Sequence, residues 1–135
     1  MLQQIKHNDD LFALIYSSED LEEGINFVTD DEAILQLGAM KRAQGYVIEP
    51  HIHTAFERNI TGTNEVMYLQ EGRVKVTFFT EDKKFLEEFI LEKGQWIVFV
   101  KGGHGFEMLE TSVLIEVKNG PYAHDMDKIR FVNEE

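Results

Sequence analysis

The chain contains no cysteine. Thiolate nucleophiles, disulfide frameworks, iron–sulfur clusters and cysteine-type structural zinc sites are therefore excluded together. Only Pro50 and Pro121 interrupt it as prolines, and no Pro-, Gly- or Ser-rich linker divides it. No window approaches the roughly 18 apolar residues of a transmembrane helix. The apolar run Leu11–Tyr16 is too short for a secretory leader core, and Asn8-Asp9-Asp10 precedes it where a leader would be basic. Basic residues are scarce: 13 Lys+Arg stand against 25 Asp+Glu, a formal charge of −12. That balance opposes non-specific binding to nucleic acid or to an anionic membrane. The expectation is a cytoplasmic protein with no nucleic-acid partner and no membrane partner.

What is present suffices for one core. A length of 135 residues favours a single domain, and 43% hydrophobic residues fill it without covalent staples. The prevailing period is two. Glu65–Gln70 and Arg73–Phe79 flank Glu71-Gly72, which is a hairpin pattern, with Val74, Val76 and Phe78 on one face and Arg73, Lys75 and Thr77 on the other. Further extended runs follow at Phe85–Leu91, Gln95–Val100, Phe106–Leu109 and Ser112–Lys118, and upstream at Ile25–Thr29 and Ala33–Met40. Leu11–Tyr16 fits strand or short helix equally. Short strands every 8–12 residues, with glycine or charged turns, predict an all-β sandwich or barrel. The clustered carboxylates read mostly as solvated surface.

With thiols absent, any metal must be held by imidazole, carboxylate or amide groups, and there are five histidines. His51 and His53 are two apart, so on a strand both would face one way and could converge on one ion. Glu49 would share that face, but Pro50 lies between. His7 reads as a surface residue, and His124-Asp125-Met126-Asp127 as a tail.

The frame around these residues is Gly45, five residues, His51-Ile52-His53, then Glu65, six residues and Gly72, and later Gly94, five residues and Val100-Lys101-Gly102-Gly103-His104. It resembles the cupin superfamily, whose motifs are G-x5-H-x-H-x(3,4)-E-x6-G and G-x5-P-x-G-x2-H-x3-N. Three departures stand out. Eleven residues separate His53 from Glu65, with Glu57 as a rival carboxylate in an inserted loop, Thr54 to Asn64. Val100 replaces the proline, with one residue fewer before His104, a deletion that Gly103 would absorb through glycine's backbone freedom. Met108 replaces the motif's asparagine.

The resemblance implies an antiparallel jelly-roll β-barrel with a core over about residues 25–118, residues 1–24 as an N-terminal strand or arm, and 119–135 as a tail. It implies a divalent metal, Fe, Mn, Zn, Ni or Co, on His51, His53, Glu65 and His104. Those nitrogen and oxygen donors suit such ions and leave positions open. Glu57 and His104 are the expected catalytic groups, and Arg58, Phe56 and Phe106 the expected substrate contacts. The implied partner is a small molecule, a carbohydrate or an oxoacid. The segments 102–109 and 116–122 resemble small bacterial cupins associated with surface-polysaccharide synthesis, which favours sugars. A homodimer is also implied, pairing through Leu11–Tyr16 or Ala33–Met40. A non-catalytic ligand binder and a metal-free sugar-nucleotide epimerase are the alternatives that this family offers.

Overall fold

A computed structural model of the chain describes residues 1–134. Ten strands carry the fold: β1 (Leu2–His7), β2 (Asp10–Tyr16), β3 (Gly24–Phe27), β4 (Gly38–Lys41), β5 (Glu65–Glu71), β6 (Arg73–Phe79), β7 (Phe85–Glu92), β8 (Trp96–Phe99), β9 (Gly103–Met108) and β10 (Val113–Lys118). The only helical element among the described residues is a 3-10 turn, His124–Met126. Every strand pair is antiparallel. The strands form a five-stranded sheet in the order β1-β2-β8-β5-β10, a three-stranded sheet β7-β6-β9, and a β3-β4 ribbon.

The period-two reading of the second half is borne out strand by strand, except that β9 starts at Gly103 and so takes in His104 and Gly105, which were expected in the glycine turn before Phe106–Leu109. Alternation then decides which side chains meet. Val74, Val76 and Phe78 of β6 face Met67 and Leu69 of β5, Ile97 and Phe99 of β8, Ile15 of β2 and Leu91 of β7, forming the main core between the two larger sheets. The opposite face of the five-stranded sheet buries Leu14, Tyr16, Val66 and Val98 under Val28, Leu35 and Leu37. A second apolar layer thus explains why β2 and β8 carry almost unbroken apolar runs.

Some elements differ from the sequence reading. Leu11–Tyr16 is a strand, paired on one side with β1 and on the other with β8, so it has no free edge to offer a second copy. The strand Leu2–His7 lies within the N-terminal strand or arm expected over residues 1–24, where no bounds were given for it. Its signal lies in Asn8-Asp9, both with positive φ (51° and 67°), the tight turn that these two residue types tolerate. Residues 28–37 form a loop rather than parts of two strands. The largest difference is residues 42–64, which hold no strand and are exposed almost throughout. The extended backbone expected at His51 and His53 has no neighbour to pair with, and Pro50 removes one of its donors.

The core predicts its own sensitivity. Leu69→Ala, at a fully buried position between the sheets, is expected to cost about 2–5 kcal/mol in urea unfolding. Val117→Ala, at a position 54% exposed on β10, is expected to stay within about 0.5 kcal/mol.

Candidate functional site

Among the described residues no strand ladder joins the five- and three-stranded sheets, and residues of their outer strands β10 and β9 line one open cleft. There the faces that build the core run on into polar residues. Glu65 opens β5 with the same parity as Met67 and Leu69, so it points inward at the rim. His104 on β9 lies opposite Phe78 of β6 and also points inward. The two meet: His104 Nε2 stands 3.4 Å from Glu65 Oε1, with the side chains 22% and 19% exposed.

The imidazole is held on its faces as well. It stacks on Phe99 with ring centres 3.9 Å apart and planes 20° from parallel, and Phe106 lies 5.5 Å away. A side chain gripped by two rings and an ion partner has little rotational freedom. The carboxylate beside Nε2 favours the proton on that nitrogen and leaves Nδ1 with the lone pair.

The electrostatics extend through β10. The imidazole of His104 holds the Glu65 carboxyl at about 2, against an ordinary 4.5, in opposition to burial, with further help from Glu116 and Lys118. Glu116 moves the other way, raised because it hydrogen-bonds and repels Glu65 across the β5–β10 pair. Of the two carboxylates, Glu116 is therefore the one with the higher proton affinity. Lys118, opposite Glu65 in register, approaches Glu116 at 4.0 Å and Asp127 at 3.3 Å.

A cleft of about 800 Å³ opens around these groups. It is lined by Glu65, Met67, His104, Phe106 and Glu116 on the inner side, by Lys75, Thr77, Phe79, Glu88 and Glu107 around the β9 edge, and by tail residues from Asp127 to Asn133. Lys75 keeps its expected outward direction and pairs with Glu107 at 3.3 Å.

Of the residues singled out in the sequence, the structure brings Glu65, His104 and Phe106 together. His51 and His53 stand next to each other, ring centres 5.3 Å apart, on the exposed segment and not in the cleft lining. Glu57, Arg58 and Phe56 are exposed on the same segment, where the Arg58 guanidinium covers the Phe56 ring at 3.9 Å. Among the described residues, no group of three or more His, Asp or Glu side chains is gathered as a metal ion requires. The donors inside the cleft thus fit a metal only in part. Sequence reasoning missed Glu116, Lys118 and the tail. For the first two the signal was available, since both share Leu114's face on a strand next to β5.

Comparison with protein-family models, with curated proteins and with solved structures found no match to this chain.

The lowered Glu65 group carries a definite sign. Its stabilisation is complete above the ordinary carboxylate value of 4.5 and is lost as pH falls toward about 2. Glu65→Gln is expected to melt below the wild type at neutral pH, and the gap is expected to close across that acid window. A gap that stays constant from neutral pH down to the acid end would overturn the assignment.

Proposed function

We propose that this chain is a cupin-type β-barrel protein that binds a small polyhydroxylated or oxoacid ligand in the cleft and moves a proton on it. The observation that carries this reading is the Glu65–His104 pair, fixed between Phe99 and Phe106 at the mouth of the cleft. A carboxylate that orients an imidazole is the usual construction of a general base or acid. In this reading Glu65, expected from the sequence as a metal ligand, orients His104, and the proton transfer expected of Glu57 falls to His104. His104 takes the proton through Nδ1, while Glu65 stabilises the cation that forms. Glu116, whose proton affinity is raised by its neighbour Glu65, lies next in line to receive or return a proton.

The lining supports a sugar derivative as the ligand class. Carboxylates, Lys75, Thr77 and Lys128 offer donors and acceptors for hydroxyl groups, while Phe79, Phe106 and Phe131 offer apolar ring faces. The mixed charge favours neither a strong polyanion nor a strong polycation. Homodimer formation belongs to the same reading, and the exposed row Val113, Ile115 and Val117 on β10 supports it as a contact surface.

A divalent metal is the second reading, and one contact favours it. His51 Nδ1 donates to the Glu49 carbonyl at 2.9 Å, which leaves Nε2 as the free donor atom beside His53. Such a backbone hydrogen bond is the common way a ligand imidazole is oriented. Elemental analysis of protein purified without added metal tests it. Near-stoichiometric metal lost in His51→Ala supports a metal site, and a trace content unaffected by that change defeats it.

The proton-transfer reading is tested with monosaccharides, keto-sugars and hydroxy- or oxoacids screened by thermal shift. Stabilising compounds are then followed by NMR for deuterium uptake from heavy water. His104→Gln is expected to keep affinity within several-fold and to lower the exchange rate by about 10²–10⁴. Tight binding with no exchange over days would make the protein a binder rather than a catalyst.

A further inference from the structure

We propose that the C-terminal tail is a releasable clamp across the open side of the fold, closing the cleft that holds Glu65 and His104. The tail leaves β10 at Lys118 and returns over the cleft, where residues 127–131 form part of its lining. Within that stretch only Asp127 and Phe131 are turned in, while Lys128, Ile129 and Arg130 are exposed. The two inward residues grip different sheets. The Asp127 carboxylate accepts hydrogen bonds from the Thr63 hydroxyl and from Lys118 Nζ at the end of β10, in the five-stranded sheet. The Phe131 ring packs edge-on against Phe79 of β6, centres 5.0 Å apart, in the three-stranded sheet.

The seat for Phe131 is built into β9. A Cβ at Gly103 would lie 3.0 Å from Phe131 Cζ and 3.3 Å from Phe79 Cβ, so the ring occupies the space that any larger residue would fill. Gly103 has no positive φ, unlike Gly102 at +76°. The backbone adjustment expected of Gly103 is thus made by Gly102, and the missing side chain at 103 is accounted for by the tail.

Within residues 127–131 the two anchors flank an exposed middle, an arrangement that is easily released. Among the described residues no strand ladder holds it, and Ile129 and Val132 between and beyond the anchors are 79% and 82% exposed, contributing little burial. Tertiary structure held by so few contacts opens at low free energy, independently of the core. Opening frees the Asp127 and Phe131 sides of the cleft together, because one short chain spans both. The consequence for ligand entry rests on the small-ligand reading of the cleft, whereas the clamp itself does not.

The absence of cysteine makes the test direct, since one introduced thiol reports alone. Met67→Cys places a thiol on a buried residue of the cleft lining, and Val74→Cys places one in the core away from it. Each is labelled with a soluble maleimide in the full-length protein without ligand, alone and combined with Phe131→Ala, Asp127→Asn or Gly103→Ala. Met67→Cys is expected to label at least several-fold faster in each combination, with Val74→Cys unchanged. Equal Met67→Cys rates with and without the second substitution would overturn the clamp. So would a parallel rise at Val74→Cys, which would mean general loosening. If Phe131→Ala does not fold, Asp127→Asn and Gly103→Ala release the two anchors separately and decide the matter. A changed labelling rate in a protein that binds none of the screened compounds would keep the clamp and remove the proposed ligand class.

Discussion

Two sheets that share no hydrogen-bonded ladder must be held face to face by side chains alone, and this constraint shapes the rest of the molecule. Backbone bonding fixes each sheet in register, while apolar burial is the main force that fixes one sheet against the other. The interior achieves this with fully buried residues such as Leu69, Val76, Leu91 and Ile97. On the side bounded by β9 and β10 the same alternation continues past the apolar positions. A residue there still points inward, yet it lies at the rim where water enters. Glu65 and His104 occupy such positions, and their pairing carries the contact between sheets to the edge of the core.

That origin explains the electrostatics. A carboxylate turned inward at a rim is partly desolvated, which alone would raise its proton affinity. The imidazole in contact reverses the outcome and takes Glu65 well below the usual range. Glu116 sits on the same face one strand away and cannot ionise as easily beside a charge already present. The result is an ordered series, with Glu65 lowered and Glu116 raised, set by proximity to His104 rather than by residue type. The chain's overall charge of −12 has little bearing on this series. The Lys118 ammonium and the His104 imidazole N–H are the groups that matter locally, and both arrive by strand register.

The fold was legible where one period governed the residues. From Glu65 to Lys118 the alternation, the glycine turns and the charged turns point to the strands observed, because each strand has a wet face and a dry one. The candidate site was legible only in half. Glu65 and His104 sit at strand ends, so spacing along the chain carried over into space. His51 and His53 obey an equally clear spacing, but an i, i+2 relation aims two side chains at a common target only when a neighbouring strand fixes the backbone. In the structure residues 42–64 have no such neighbour. The tail was illegible for a related reason. Asp127 and Phe131 follow no strand period, and each acts through a partner more than eight residues away in sequence: Lys118 for one, Phe79 and Gly103 for the other.

Gly103 and His104 show how the tail and the proposed chemistry are connected. Adjacent residues on a strand face opposite ways, so Gly103 presents its bare backbone to Phe131 while His104 presents its ring to Phe99 and Glu65. Gly102 precedes them with φ +76°, and a Cβ there would collide with the Phe79 carbonyl at 2.4 Å. The start of β9 is therefore pressed close to β6, with little slack. Any shift of this strand end that loosens the Phe131 seat also moves the imidazole relative to Glu65. Position along one short strand is thus a single variable read on both of its faces. A ligand that tightens the Glu65–His104 contact would, through the same backbone, favour the seated tail.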